Sequence, residues 1–142
     1  MTTTRDTKRG DAIARRLVAR ERARIEAALE DLDGAALAEA ELVSQQSGDA
    51  AESGTAVAAS VARIIGDGLR VRLREAHRAE QRLAAGTYGL SVDSGLPIPL
   101  ARLAANPFAE RTVEEQGALD RVTRARSALQ RTRQITQEEL NP

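Results

Sequence analysis

The sequence predicts a mainly α-helical protein: a long antiparallel helical hairpin, then a small compact body and a C-terminal helix. Three observations carry this. Two long segments on either side of a small polar break keep a three-four apolar rhythm. Charged residues make up 30% of the chain and aromatics 1%, and the apolar remainder is mostly Ala, Leu, Val and Ile, the composition of long solvent-bathed helices. Three of the four prolines, the only tyrosine and the only phenylalanine gather in one stretch, residues 86–116. With 142 residues the chain accommodates one domain, or a small domain with an extended arm.

Residues 1–11 are polar and without periodicity, which predicts a disordered lead. Residues 12–84 read as the hairpin. In its first helix Val18, Ile25, Leu29, Leu32, Ala36 and Val43 form a coiled-coil seam, with Glu39 at one seam position. The segment 44–54, SQQSGDAAESG, reads as the turn. In the second helix Val57, Val61, Ile64, Ile65, Leu69, Leu73, Ala76 and Leu83 supply the stripe. Folding near the middle of the turn pairs positions whose numbers sum to about 100. Val43 then meets Val57, Ala36 meets Ile64, Leu29 meets Val71 and Val18 lies near Leu83. Gly34, Gly66 and Gly68 fall at one level, either a bendable point or a place where small residues allow close packing. Residues 85–142 form the second region, whose last helix runs from Glu114 to about Glu139 with Leu119, Val122, Ala125 or Arg126, and Leu129 on its inner face.

The compact stretch carries a pattern: Gly86, Thr87, Tyr88 and Gly89, then Gly95, Pro97, Ile98 and Pro99, then Leu100, Ala101, Arg102 and Leu103, then Pro107. It resembles the zinc-finger segment of the TraR/DksA family, whose members bind RNA polymerase and regulate transcription. The family's finger has two Cys-x-x-Cys pairs. At those positions this chain has Ser91, Ser94, Thr112 and Glu115, and it has no cysteine anywhere. Hydroxyls are poor zinc ligands and one glutamate cannot replace four thiolates, so no metal and no other cofactor is expected. Thr112-Val113-Glu114-Glu115 has the Ser/Thr-x-x-Glu form of a capping box. Apolar contacts among Tyr88, Leu90, Ile98, Leu100, Leu103, Phe108 and Val113, at about 1.5–3 kcal/mol per buried large side chain, are expected to supply the rest.

Charge is unevenly spread. Lys+Arg and Asp+Glu are both 21, so no basic surplus marks a binder of nucleic-acid phosphate. Between Glu26 and Val61 there is no Lys or Arg, while the basic side chains resume at Arg63. The distal hairpin is therefore acidic. It is suited to a positive, metal-containing cleft, or is simply a solvated helix surface. The family carries Asp-x-x-Asp-x-Ala at its tip, inserted through the polymerase secondary channel toward the catalytic magnesium. The resemblance places Asp49 at the first acid, Glu52 at the second and Gly54 at the alanine. Both acids also suit the start of the second helix, where the dipole favours negative charge.

His77 is the only histidine, so neither a zinc site nor a nucleophile–base pair can be assembled around it, and an enzyme is not expected. Arg102 is assigned an acid of the first helix, such as Glu21. The absence of cysteine, of a secretory leader and of a long apolar run fits a cytoplasmic protein with no membrane contact. The resemblance implies a regulator of RNA polymerase core enzyme without sequence-specific nucleic-acid contact. The alternative is a helical interaction module, such as a homodimer, that kept the fold without the polymerase role.

Overall fold

The computed structural model describes residues 4–45 and 49–141. It contains α1 (Thr4–Gln45), α2 (Asp49–Ala85), α3 (Leu100–Ala105) and α4 (Val113–Leu140). Two compact units emerge, one made of Met1–Tyr88 with Asn106–Phe108, the other of Gly89–Ala105 with Ala109–Pro142.

The first unit is the antiparallel hairpin. α1 alone, with 42 residues, is about 60 Å long. It begins earlier than the polar lead suggests, since residues from Thr4 onward are helical. Arg, Asp and Lys side chains tolerate a helix that buries nothing, and the described ones among residues 5–10 are exposed. The break between the helices is also shorter than the small polar residues imply. Ser44 and Gln45 end α1 and Asp49 starts α2, while residues 46–48 lie outside the described residues. Ser44 is helical, and its hydroxyl donates to the Glu41 carbonyl at 2.8 Å.

The hairpin core sits at the end away from the turn. Val18 and Ile25 of α1 and Ala76 and Ala79 of α2 are buried around Phe108, with Leu29, Leu69, Leu73, Leu83 and Tyr88 packed on them. The alanines bring the two helices close and leave room for the ring. Arg22 reinforces this register by donating to both carboxylate oxygens of Glu80, at 2.8 and 2.7 Å, and to Glu26 at 2.8 Å. These carboxylates hold the guanidinium more firmly protonated than usual. Being largely exposed, the pairs specify alignment more than they add stability.

Toward the turn the seam changes character. Leu32 lies against Gly66, where an added Cβ would come within 3.3 Å of its Cδ2. This and the Arg22–Glu80 pair keep the anticipated register. Gly34 and Gly68 face open space, so only Gly66 is a close-packing glycine. There Ala35, Ala36, Ala40, Ala58, Ala59 and Ala62 line an open cleft between the two helices. Ile64 and Val57, assigned to the seam by periodicity, are instead 69% and 65% exposed, and Val71 is exposed as well. The apolar stripe on α2 is wider than the part that is covered: Ala58 and Ala62 are half-buried, and Ile64 is not.

α2 stops at a Schellman motif. Gly86, with φ of +75°, donates to the Leu83 carbonyl at 3.4 Å, and Thr87 donates to Arg82 at 2.9 Å. Asn106–Phe108 then docks on this end of the hairpin. Tyr88 Oη donates to the Pro107 carbonyl at 2.8 Å, and Arg72 lies 4.8 Å from the centroid of the Phe108 ring while reaching Asn106 Oδ1 at 3.3 Å. Burial raises the Tyr88 hydroxyl's pKa against the opposing charge of Arg82.

In the second unit residues 89–98 form a tight loop with a single antiparallel bridge between Leu90 and Pro97. Ile98 and Leu103 are buried, but Leu100 and Val113 are 84% and 60% exposed, so the anticipated apolar set contributes only in part. Leu100 opens the short α3, which places it on the outer side of that turn. Arg102 does not pair with Glu21; its Nε donates to the Arg111 carbonyl at 2.7 Å. α4 has no buried residue, so Leu119, Val122 and Leu129 mark no inner face.

Phe108→Ala is expected to cost about 3–5 kcal/mol in urea unfolding, because the ring fills the hairpin core. Leu100→Ala is expected to change stability by less than about 0.5 kcal/mol in the same measurement, being a surface substitution.

Candidate functional site

Two places match the sites read from the sequence: the four positions Ser91, Ser94, Thr112 and Glu115, and the distal end of the hairpin.

The four positions do come together. Ser91 lies in the tight loop and is 4% exposed. Its backbone donates to Leu96 at 2.8 Å and accepts from Gly95 at 2.9 Å, so the loop folds back on itself. Gly95 has φ of +72°, which a side chain would strain, and this lets the chain reverse over so few residues. Ser94 follows within the same turn. Thr112 and Glu115 stand at the start of α4, where the capping box is complete. Glu115 N–H donates to Thr112 Oγ1 at 3.3 Å, and Thr112 N–H donates to Glu115 Oε2 at 3.1 Å.

The carboxylate joins the two halves. Ser91 Oγ donates to Glu115 Oε2 and Ser94 Oγ donates to Glu115 Oε1. Each serine oxygen also accepts backbone N–H groups, Ser91 from Asp93 at 3.2 Å and Ser94 at 3.3 Å, and Ser94 from Leu96 at 3.3 Å. Close by, Arg111 pairs with Asp93 at 2.7 Å and Val92 N–H reaches the Glu110 carbonyl at 2.9 Å. These donors favour the ionised acid. The Ser91 hydroxyl, then that of Ser94, hold the Glu115 carboxyl down to about 2 from its usual 4.5.

Three hydroxyls and one carboxylate do not fit zinc, and here that carboxylate is engaged by both serines and a backbone N–H. Among the described residues no three His, Cys, Asp or Glu side chains gather as a metal site. The cluster is a structural knot: it ties the loop after α2 to the first turn of α4.

At the distal end the backbone places Asp49 and Glu52 in the first turn of α2, though their side chains lie outside the described residues. Gly54 is exposed with no heavy atom within 4 Å of an added Cβ. Below them Glu30, Asp31, Asp33, Glu39 and Glu41 are all exposed, with no basic side chain between Glu26 and Val61. His77 is exposed on α2. Among the described residues no helix is long and apolar enough to cross a membrane.

A helical hairpin with a finger-like knot and a following helix defines a DksA-like fold. The chain is similar to the structure of transcription factor DksA2 from Pseudomonas aeruginosa, with a TM-score of 0.69 and 24% identity over 80% of this chain and 85% of that one. It is also 43% identical over 51 residues to general stress protein 16O of Bacillus subtilis (strain 168). That match covers 36% of this chain and spans only 31% of the relative. No family model matches the chain.

Sequence reasoning found the four knot positions through the resemblance and the cap through its spacing. It did not find that both serines close on Glu115. It also missed Arg72 and Asn106, which fasten Phe108 to the hairpin; an Asn-Pro-Phe run in a chain with two aromatics was the available signal.

Glu115 has a depressed folded pKa, so its contribution is complete above 4.5 and is lost as pH falls toward about 2. Thermal unfolding between these limits is expected to show Glu115→Gln losing less stability with acid than the parent chain. Adding a chelator at neutral pH is expected to leave the melting temperature of the parent unchanged.

Proposed function

We propose that the chain regulates transcription by binding RNA polymerase core enzyme through its secondary channel, with the acidic end of the hairpin directed at the catalytic centre. The observation that carries this reading is the arm. Two paired helices of 42 and 37 residues present a distal stretch, residues 27–62, without a single Lys or Arg, on a DksA-like fold. A narrow rod with a negative end is drawn toward a positive, metal-bearing cleft. The same charge is repelled by nucleic-acid phosphate, which favours action on the polymerase over contact with specific bases.

Asp49 and Glu52, at the start of α2, are the residues proposed to lie nearest the catalytic centre, with Gly54 one turn further along. Glu52 is longer than the aspartate of the resembled motif and Gly54 lacks a methyl group, so the tip is tuned differently from that motif. Residues 85–142, held by the knot at Glu115, act as the body at the channel rim. The role is regulatory rather than catalytic, and the compartment is the cytoplasm, where the polymerase works.

Pull-down with core RNA polymerase tests the reading. The parent chain is expected to be retained, and Asp49→Asn/Glu52→Gln is expected to be retained while losing its effect on transcription in vitro. Failure of the parent to bind core enzyme contradicts the polymerase assignment. An unchanged transcriptional effect in the double variant contradicts the tip assignment.

A further inference from the structure

α4 and the distal hairpin arm carry opposite charges on exposed apolar surfaces. From Arg121 to Arg133, α4 holds Arg121, Arg124, Arg126, Arg131 and Arg133 and no acid, and all five are exposed. Val122, Ala125 and Leu129 recur at helical spacing and form one stripe. The same spacing puts Arg121 along one edge of that stripe and Arg126 and Arg133 along the other. Val122 is 50% exposed and Leu129 62% exposed, so the stripe has no cover.

The arm presents the complement. Between α1 and α2 lies an open cleft of about 500 Å³, lined by Leu32, Ala36, Ala40, Ala62 and Ile65 and by the single acid Glu39. Alanines keep it shallow and wide, a shape that receives branched side chains of a third helix. Asp31 and Asp33 flank Leu32 on α1 and are exposed, and α1 carries no basic side chain from Glu26 to its end.

We propose that the occupant of this cleft is α4 of a second copy of the chain. The Val122–Ala125–Leu129 stripe seats on the alanine-lined surface, and Arg121, Arg126 and Arg133 meet Asp31, Asp33 and Glu39. Charge complementarity together with the apolar stripe argues for this partner: residues 121–133 hold five arginines and no acid, and residues 27–62 hold acids and no Lys or Arg. The contact joins unlike patches, and each copy carries both of them. The proposal does not rest on the polymerase reading. Where that reading also holds, self-association and channel binding compete for the same arm.

Sedimentation of the full chain over a concentration series tests it. At low salt the mass is expected to exceed that of the 15.2 kDa monomer. Near 1 M salt, where the screening length is about 3 Å, it is expected to return toward the monomer. Arg121→Glu/Arg126→Glu/Arg133→Glu is expected to weaken association by roughly tenfold or more. Asp31→Arg/Asp33→Arg/Glu39→Arg is expected to do the same. Mixing the two variants restores every opposite-charge contact, so they are expected to associate with each other more tightly than either does with itself. All six positions are exposed, and helical content by circular dichroism confirms that each variant folds. A parent chain that stays monomeric at every concentration overturns the proposal, as does association indifferent to the arginine reversal. Arginine-dependent retention of nucleic acid by a monomeric chain assigns the stripe to nucleic acid and also overturns it.

Discussion

The Glu115 carboxylate is the constraint on which the second unit depends. A ten-residue loop and a short α3 bury few large side chains, and a segment of that size does not hold one conformation by hydrophobic burial alone. Glu115 supplies a fixed point. One oxygen takes the Ser91 hydroxyl and the Thr112 N–H, the other takes Ser94, and the serine oxygens in turn order the backbone of their own turn. Each acceptor and donor is thereby satisfied within one small network, the condition under which a polar cluster specifies structure rather than costing stability. Unlike a metal site, it needs no ion and is insensitive to thiol oxidation. Unlike a metal site too, it responds to acid through one carboxyl group.

The hairpin divides into a packed base and an open arm. At the base, Phe108 on Ala76 and Ala79, with Arg72 over its ring and Tyr88 bonded to Pro107, locks the chain that leaves α2 to the segment that returns to it. Further out, alanines line an open cleft between the helices, while Val57, Ile64 and Leu37 are exposed. Stability is thus concentrated at one end of the rod. The other end keeps helical form with little burial, and its exposed acids and apolar groups are left free for a partner.

Much of this is legible in the sequence. The apolar rhythm gives two helices, the antiparallel register follows from matching their stripes, and Thr112–Glu115 announces the start of α4 by spacing alone. Local rules govern each of these. What is not legible depends on contacts between distant residues. Periodicity cannot tell that Ala58 and Ala62 are half-buried and Ile64 is exposed, because both choices lie on one apolar face. Nor can it tell that Phe108 belongs with the hairpin base, since its neighbours Ala105 and Ala109 read the same in either setting. Leu100–Ala105 is too short to show a helical period, and the prolines before it suggest an extended run. The serines of the knot read as ordinary turn residues until the fold brings Glu115 over them.

Amide hydrogen exchange on the parent and on Glu115→Ala measures the knot most directly. With Glu115 removed, protection of the Ser91, Val92, Gly95 and Ile98 amides is expected to fall sharply, whereas amides of α1 and α2 around Val18 and Ala76 keep theirs. Unchanged protection across residues 89–98 in the variant would show that the loop is held by something other than this carboxylate.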